Sequence, residues 1–200
     1  MRYGMVIDRK KCIGCHTCMI ACKAAHGTGP NIFWSLVVDR EVGTYPSVRR
    51  EFIPKLCMHC KNARCVETCP TGASYKREDG IVLVDTNKCV GCKQCILACP
   101  YQVRYLNNGK VGYYKTGLTP YENFAYQQRE ARTVEKCDFC VDEIEQGQDP
   151  VCVRACPLKA RTLGDLDDPD SEVCRLISSR HGIQLLQELG NDPSVYYLSP

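Results

Sequence analysis

The sequence predicts an α+β fold of two small nested units, built from short β-hairpins and one-turn helices instead of one large apolar core. Three observations lead to this prediction. Cysteine accounts for 17 of the 200 residues, far more than an ordinary core uses. Sixteen of these cysteines fall into four groups of four, which form an internal repeat. A hairpin signal separates the second group from the third, so these two groups form a compact unit.

The four cysteine groups share the spacing Cys-x2-Cys-x2-Cys-x3-Cys, which the second and fourth groups stretch before their third cysteine. The last two cysteines of each group are four residues apart and therefore lie about one helical turn apart. Proline follows the last cysteine and ends the helix in every group except the first, where Lys23 follows it. The groups are Cys12, Cys15, Cys18 and Cys22; Cys57, Cys60, Cys65 and Cys69; Cys89, Cys92, Cys95 and Cys99; and Cys137, Cys140, Cys152 and Cys156.

This spacing is typical of 4Fe–4S binding, in which three cysteines of a group hold one cluster and the fourth reaches a neighbouring cluster. Small residues such as Gly14 and Gly91 let the backbone approach the cubane, where its N–H groups can point at sulfur. The sequence therefore predicts four 4Fe–4S clusters held by these sixteen cysteines. It predicts no catalytic residues, because it has no nucleophile with its base, no HExxH and no phosphate-cradling loop.

Disulfides and zinc are the alternative uses of so many cysteines. Disulfides require an oxidising compartment, the count of seventeen is odd, and this spacing is too tight for independent bridges. Zinc is the stronger alternative, because Cys-x2-Cys pairs are common in zinc knuckles. A zinc site, however, has no use for a third cysteine three residues further on with Cys-x3-Cys-Pro behind it. A zinc-stabilised interaction module is therefore the less favoured hypothesis.

Residues 50–105 are predicted to form one ferredoxin-like unit from the second and third cysteine groups. Asp79-Gly80, followed by a run of Ile, Val and Leu, marks its hairpin turn. Residues 1–30 and 135–165 then form the second ferredoxin-like unit from both ends of the chain, with a short strand from Tyr3 to Ile7.

The segments outside these units are two insertions, 31–49 and 106–134, and a C-terminal extension, 166–200. The insertions are too rich in Tyr, Arg and Glu to be flexible linkers, and we expect ordered surface that is partly interface. Asn107-Asn108-Gly109 marks a second hairpin, between 103–106 and 111–114. In the extension, residues 169–189 carry a helical pattern that starts near Asp170 or Ser171.

The order of the groups, the stretched second and fourth copies, and the phrases Cys69-Pro70-Thr71-Gly72-Ala73 and Cys99-Pro100-Tyr101 resemble the iron–sulfur subunits of the molybdopterin oxidoreductase superfamily. The likeness covers roughly residues 1–165 and is greatest to subunits of polysulfide, thiosulfate, dimethyl sulfoxide and arsenate reductases. The resemblance implies a non-catalytic subunit that carries single electrons between a molybdopterin (Mo or W) catalytic subunit and a quinone-linked membrane subunit. A hydrogenase or carbon monoxide dehydrogenase is the alternative setting.

The resemblance also implies which cysteines share a cluster, in a nested arrangement. One cluster takes Cys12, Cys15, Cys18 and Cys156, and its neighbour takes Cys137, Cys140, Cys152 and Cys22. The other pair takes Cys57, Cys60, Cys65 and Cys99, beside Cys89, Cys92, Cys95 and Cys69.

The formal net charge of +3 does not indicate a nucleic-acid surface. It counts every cysteine as neutral, whereas four thiolate-bound clusters would make the protein negative, so we expect basic residues to compensate buried negative charge. No run is long enough to span a membrane, and the N-terminus lacks the apolar stretch of a signal peptide. We expect a membrane-associated complex on the extracytoplasmic side, reached by co-export with a partner, with the cytoplasmic face as the alternative.

A few residues outside the ligand set carry weaker expectations. His16 and His59 lie inside cluster loops and are expected to face solvent or to lie behind the thiolates; a protonated His59 is a hypothesis for raising one cluster's potential. Cys174 is interpreted as a buried apolar residue. Trp34 and the tyrosines mark either an interface or packing around clusters. The carboxylates of residues 165–170 are interpreted as a solvated acidic turn.

Overall fold

The computed structural model describes residues 1–127 and 130–199, which form short strands and mostly one-turn helices in an α+β arrangement, as predicted. The strands are β1 (Tyr3–Asp8), β2 (Ser35–Val42), β3 (Arg49–Leu56), β4 (Ser74–Lys76), β5 (Val82–Val84), β6 (Tyr105–Leu106), β7 (Val134–Glu135), β8 (Arg161–Asp165) and β9 (Val195–Leu198). The helices are α1 (Thr17–His26), α2 (Arg64–Glu67), α3 (Gln94–Leu97), α4 (Pro120–Ala125), α5 (Val141–Glu145), α6 (Val151–Arg154) and α7 (Glu172–Ser179), with a 3₁₀ turn at Gln187–Leu189.

The central sheet joins the two ends of the chain in the order β8–β1–β9. Strand β1 pairs antiparallel with β8 and parallel with β9, so it is hydrogen-bonded on both sides. Its residues Met5, Val6 and Ile7 are fully buried, which explains why a continuous apolar run occupies the middle position. The predicted strand from Tyr3 to Ile7 is confirmed and extends to Asp8.

Two antiparallel hairpins flank the second cysteine group. Strands β2 and β3 form a long hairpin that occupies most of the first insertion. Strands β4 and β5 form the predicted hairpin, in which Gly80 adopts a left-handed φ of 83° and the Asp79 carboxylate accepts the Ile81 N–H at 3.1 Å. The Asp-Gly signal therefore placed this turn correctly.

The second predicted hairpin is wrong. Strand β6 pairs with β7, nearly thirty residues later, and not with residues 111–114. Asn107 does turn the chain, since its side chain accepts the Gly109 N–H at 2.7 Å, but its backbone N–H donates to the Thr133 carbonyl at 2.8 Å. Residues such as Val111 and Tyr113 stay exposed, so pairing with them would bury little apolar surface.

The C-terminal extension is helical only in part. Helix α7 begins after Ser171, whose hydroxyl accepts the Cys174 N–H at 3.2 Å, and it ends at Ser179 instead of 189. The chain then returns as β9, whose Tyr197 is fully buried and donates its hydroxyl proton to the Pro54 carbonyl at 2.8 Å. The prediction of a helical tail missed this strand, although Val-Tyr-Tyr-Leu has strong β-propensity.

The main core lies where β1, β3 and the cysteine loops meet, and it includes Met5, Leu56, Ile81 and Tyr197 together with several thiols of the four groups. None of the helices within residues 1–127 and 130–199 has the length and hydrophobicity needed to cross a bilayer.

Candidate metal centre

Three of the four thiols of the first group meet a thiol from the far end of the chain. Cys12, Cys15, Cys18 and Cys156, which we call the Cys12 set, line one cavity. The central sheet causes this convergence: β1 ends just before Cys12, β8 starts just after Cys156, and the Asp8 N–H donates to the Ala160 carbonyl at 2.8 Å. A fourth thiol about 140 residues distant in sequence is thereby brought beside the first loop.

A second cavity is lined by Cys57, Cys60, Cys65 and Cys99, which we call the Cys57 set. Helix α2 carries Cys65, and α3 ends just before Cys99, so contact between these two helices closes the set. Burial and the neighbouring thiols Cys57, Cys65 and Cys99 raise the pKa of Cys60. The four thiols around this cavity are therefore close enough to repel one another when ionised.

The other two sets are marked by thiols close enough to repel one another. Burial and the nearby Cys152 and Cys140 raise the pKa of Cys22, and burial and Cys22 raise that of Cys137; these four thiols form the Cys137 set. Burial also raises the pKa of Cys95, with added repulsion from Cys89 and Cys69. Together with Cys92 of the same loop, these three cysteines form a fourth set, which we call the Cys89 set. It consists of Cys69, Cys89, Cys92 and Cys95.

Each cysteine loop turns through the same backbone conformation. The residue just before the second cysteine has a left-handed φ in all four groups: Gly14 (70°), His59 (42°), Gly91 (67°) and Phe139 (61°). The two glycines are also crowded, because an added Cβ would lie 2.3 Å from the Phe52 ring at Gly14 and 2.0 Å from the Arg132 carbonyl oxygen at Gly91. Glycine is therefore favoured at these positions for two reasons: it adopts the left-handed backbone without strain, and it leaves room for the neighbouring atoms.

The proline after the last cysteine decides the length of the helix that precedes it. Helices α2, α3 and α6 are four residues long and stop before Cys-Pro. Helix α1 runs for ten residues because Lys23 replaces proline, and it ends at Gly27 in a left-handed C-cap. The Lys23 ammonium then binds the next loop, donating to the carbonyl oxygens of Gly29 at 3.0 Å and Ile32 at 2.7 Å.

Backbone and side-chain donors surround the thiols. N–H groups of Ser74, Val134 and Ala160 lie 3.2–3.4 Å from the Sγ atoms of Cys69, Cys89 and Cys156 respectively. Two buried guanidinium groups also reach sulfur: Arg104 lies 3.0 Å from Cys65 Sγ and Arg161 lies 3.3 Å from Cys18 Sγ. These contacts agree with the expectation that basic residues compensate buried negative charge.

The donor sets fit iron–sulfur clusters. Burial disfavours the thiolate form of many of these cysteines and raises the pKa of Cys140 to about 12 and that of Cys65 to about 11. Bound iron supplies the missing positive charge and stabilises all four thiolates of a set. The buried Nη1 atoms of Arg104 and Arg161 also lack an acceptor among the described residues. This is expected for donors that face a negatively charged cluster and its thiolates.

The hypothesis of a protonated His59 is wrong. Its Nδ1 accepts the Val82 N–H at 3.0 Å, which requires the neutral imidazole. Burial, together with the charges of Lys136 and Arg104, lowers the pKa of His59 well below its usual value. His16 is partly buried beside the Cys12 set and lines its cavity.

His26, Arg104 and Arg161 also lie near the thiols, and the sequence analysis did not single them out. The His26 Nε2 atom lies 3.2 Å from Cys140 Sγ, and its ring stacks on Trp34 with centroids 4.6 Å apart. Trp34 is partly buried and packs against the core cluster that includes Cys18 and Cys137. The two guanidinium groups carried a usable signal, because Arg104 and Arg161 both stand five residues after the last cysteine of their group.

Cys174 lies apart from the four sets. It is partly buried against the small cluster of Val6, Val173 and Leu198 and points its thiol at the Leu166 carbonyl, 3.5 Å away. The acidic turn is as expected: Asp165 and Asp168 each accept the N–H two residues on, and Asp167 pairs with the N-terminal ammonium at 3.1 Å.

A small α+β fold that gathers sixteen thiols into four buried or half-buried sets defines an iron–sulfur electron-transfer protein. Comparison with known proteins agrees. Residues 48–116 and 113–166 match the 4Fe-4S dicluster domain, and residues 9–25 match a 4Fe-4S binding domain.

Relatives that match nearly the whole of this chain identify the family. The chain is 42% identical to the arsenate respiratory reductase iron-sulfur subunit ArrB of Shewanella sp. (strain ANA-3), over 99% of this chain and 96% of the relative. It is 40% identical to a selenate reductase subunit of Mesobacillus selenatarsenatis, over 100% of this chain and 72% of the relative. It is 38% identical to a sulfite dehydrogenase subunit of Allochromatium vinosum, over 98% of this chain and 82% of the relative. The chain belongs to this family of iron–sulfur subunits of oxidoreductases.

The predicted resemblance, the 4Fe–4S cofactors, the electron-transfer function and the assignment as a non-catalytic subunit are confirmed by these matches.

Proposed function

We propose that the chain is a four-cluster electron relay in which the Cys12, Cys137, Cys57 and Cys89 sets each hold one 4Fe–4S cluster. The main support is that thiols distant in sequence lie together in four separate sets, two of which line cavities. When bound, each cluster takes up or releases one electron. The nested organisation follows: residues 50–105 form one ferredoxin-like unit, and residues 1–30 with 135–165 form the other.

The four sets form a line in the order Cys12, Cys137, Cys57 and Cys89. Arg161 supports the first step, because it faces Cys18 of the Cys12 set and Cys152 of the Cys137 set. Repulsion from Cys57 contributes to the raised pKa of Cys137, which supports the middle step. Arg104 supports the last step, because it lies between Cys65 and Cys95.

Electrons enter and leave at the two ends of this line. Cys15 and Cys92 are the exposed cysteines of the four sets within the described residues, and they belong to the terminal Cys12 and Cys89 sets. Exposed apolar residues flank both: Ile13 and Ile20 near Cys15, and Val90 and Leu97 near Cys92.

These two apolar pairs occupy equivalent positions in the repeat. Ile20 and Leu97 both stand two residues after the third cysteine, where the second and fourth groups have the charged residues Glu67 and Arg154. Apolar residues are expected in the core of a protein–protein interface, and charged residues are depleted there. Each terminal set therefore lies within a surface suited to a partner subunit.

The partners we propose are a molybdopterin subunit containing Mo or W at one end and a quinone-reacting membrane subunit at the other. Support comes from the relatives, which are named as subunits of arsenate and selenate reductases and of a sulfite dehydrogenase. Because these names include both reductases and a dehydrogenase, we propose that the reaction of the catalytic partner sets the direction of electron flow. We further propose that the complex lies on the extracytoplasmic side after co-export, which proteolysis of intact spheroplasts tests.

The first experiment is elemental analysis of the complex purified anaerobically without stripping its partners. About sixteen irons on this chain, with Mo or W co-eluting, is the expected result, since each of four cubanes holds four irons. Nickel in place of Mo or W would move the chain to a hydrogenase or carbon monoxide dehydrogenase. Zinc with little iron would overturn the cluster assignment.

The ligand sets are tested by single substitutions. Cys152→Ser is expected to lower the iron content and to remove one of four cluster signals, because Cys152 belongs to the buried Cys137 set. Cys174→Ser is the matched control and is expected to retain all iron. Equal iron loss in the two variants would contradict the proposed sets.

A further inference from the structure

Two buried arginines occupy equivalent places in the internal repeat. Arg104 follows Cys99 by five residues, and Arg161 follows Cys156 by five residues. Both side chains are only 3% exposed. The other two groups have Ser74 and Gly27 at this position, so each pair of cysteine groups supplies one guanidinium.

Arg104 lies between two cysteine sets. Its Nη2 donates to Cys65 Sγ of the Cys57 set at 3.0 Å. The guanidinium also interacts electrostatically with Cys57 and Cys95, as well as with Cys65. Cys95 belongs to the Cys89 set, so a single guanidinium faces thiolates of two different sets.

Arg161 repeats this arrangement at the other pair. Its Nη2 donates to Cys18 Sγ of the Cys12 set at 3.3 Å and to the Ser35 hydroxyl at 2.9 Å. The guanidinium also interacts electrostatically with Cys152, as well as with Cys18. Cys152 belongs to the Cys137 set, so Arg161 also faces two sets.

Neither guanidinium has a carboxylate partner in the parts of the chain that the structure describes. Their Nη1 atoms are buried there without a hydrogen-bond acceptor. Arg9 shows the contrast, because its guanidinium binds the Glu51 carboxylate at 2.8 Å. An unpaired buried cation is strongly destabilising, so the thiolates and the clusters they hold are the groups that balance these two charges.

We propose that Arg104 and Arg161 are positioning residues that each raise the reduction potentials of two neighbouring clusters at once. This inference rests on the ligand sets of the proposed function. A cluster gains one negative charge when it accepts an electron from a reduced partner and loses that charge when it passes the electron on. A fixed positive charge stabilises the reduced form, and in a buried site the stabilisation is little screened by solvent.

The position between two sets has a specific consequence. A guanidinium beside one cluster alone would raise one potential and create an energy step between neighbours. A guanidinium shared by both raises both potentials together, so it adds no energy step between the two clusters. The repeat therefore places one shared charge in each half of the relay.

The test is a redox titration followed by EPR on the anaerobically purified complex, with iron content measured on the same samples. Arg104→Gln and Arg161→Gln remove the buried charges. Arg154→Gln is the matched control, since this exposed arginine stands two residues after Cys152 in sequence but binds Glu143.

We expect each buried variant to lower the potentials of two clusters and leave the other two unchanged. The pair lowered by Arg104→Gln and the pair lowered by Arg161→Gln must have no member in common. The Arg154→Gln control is expected to leave all four potentials in place. Arg104→Lys and Arg161→Lys keep the charge and are expected to retain most of the wild-type potentials.

A shift of only one cluster, of none, or of the same clusters by both variants would overturn the inference while four clusters remained present. Loss of the proposed function is recognised separately, because the wild-type complex itself would then lack four clusters. Should a glutamine variant lose iron, the lysine variant at that position decides. Wild-type potentials there support the role of charge, and shifted potentials overturn it.

Discussion

The imidazole of His59 stacks on the ring of Phe139, with centroids 3.8 Å apart and planes inclined by 23°. Both side chains are fully buried, and both stand at the left-handed position just before the second cysteine of their groups. The stack therefore joins two equivalent loops face to face. Glycine occupies the same position in the first and third groups, where the crowding by Phe52 and Arg132 leaves no space for a side chain.

Removal of the Phe139 ring is expected to weaken the junction of these loops. Phe139→Ala should lower the free energy of unfolding by about 3–5 kcal/mol, the usual cost of deleting a buried ring. Phe124→Ala is the matched control, because Phe124 is 76% exposed and its loss should cost less than about 0.5 kcal/mol. Anaerobic thermal unfolding followed by cluster absorbance measures both. Similar midpoints in the two variants would show that the stack contributes little.

Stability is expected to fall as the pH is lowered through the range where histidine titrates in the unfolded chain. Burial lowers the pKa of His59 in the folded chain, and the positive charges of Lys136 and Arg104 lower it further. A hydrogen bond to the Cys137 backbone has the opposite, smaller effect. The unfolded chain therefore binds a proton near pH 6.5 that the folded chain excludes. The contribution of His59 to stability is complete above this pH and is lost, by at most about 1.4 kcal/mol per pH unit, as the pH falls.

His59→Asn isolates this effect. Asparagine tolerates the left-handed backbone and can accept the Val82 N–H, but it does not titrate. The variant loses the ring stack, so its absolute stability is not the readout. The slope of the unfolding midpoint between pH 7 and pH 5 should be smaller than in the wild type. Parallel slopes would mean that His59 does not carry the pH dependence.

The cysteine spacing predicted most of what concerns the chemistry. Local spacing is sufficient to place three thiols on one loop, and the strand at Tyr3–Asp8 and the hairpin at Asp79-Gly80 also follow from local patterns. The structural predictions that were wrong concern elements that depend on contacts distant in sequence. Strand β6 pairs with β7 because residues 132–133 hydrogen-bond Asn107, and no local signal in Asn-Asn-Gly reveals this.

The buried charges show the same limit. Arg104 and Arg161 do not stand out in the sequence until their equal spacing from the last cysteine is noticed, and their burial depends on sheets formed elsewhere. His26 reaches Cys140 only because Lys23 replaces proline and α1 continues for another turn. Strand β9 was hidden by the helical pattern that precedes it, although its hydrogen bond to Pro54 ties the C-terminus to the core.

Gly91 is expected to tolerate no side chain. In Gly91→Ala, the new Cβ would lie 2.0 Å from the Arg132 carbonyl oxygen, a backbone atom that cannot move without displacing the segment near Cys89. Gly147→Ala is the matched control, because Gly147 has a similar φ of 75° but open space around it. The control should lose about 1–2 kcal/mol of stability and keep its iron. Gly91→Ala should lose more stability and the iron of one cluster; equal results would remove the argument from close approach.

The exposed apolar residues at the two ends of the relay are expected to separate the two partners. Ile20 is 59% exposed beside the Cys12 set, and Leu97 is 85% exposed beside the Cys89 set. A charge in the core of an interface is costly, so Ile20→Glu and Leu97→Glu should each weaken binding at their own end by at least about tenfold, or about 1.4 kcal/mol. Iron content and cluster potentials should stay at wild-type values, because neither side chain is buried against the thiols.

Co-purification of each partner subunit, compared among Ile20→Glu, Leu97→Glu and the exposed control Val111→Glu, provides the measurement. The control should retain both partners. Each end variant should lose a different partner, because the terminal sets lie at opposite ends of the proposed line. Electron exchange with the retained partner should continue, and exchange with the lost one should slow in proportion to the weaker binding. Loss of the same partner in both variants would mean that the two surfaces serve one interface, and the linear order of the four sets would have to be abandoned.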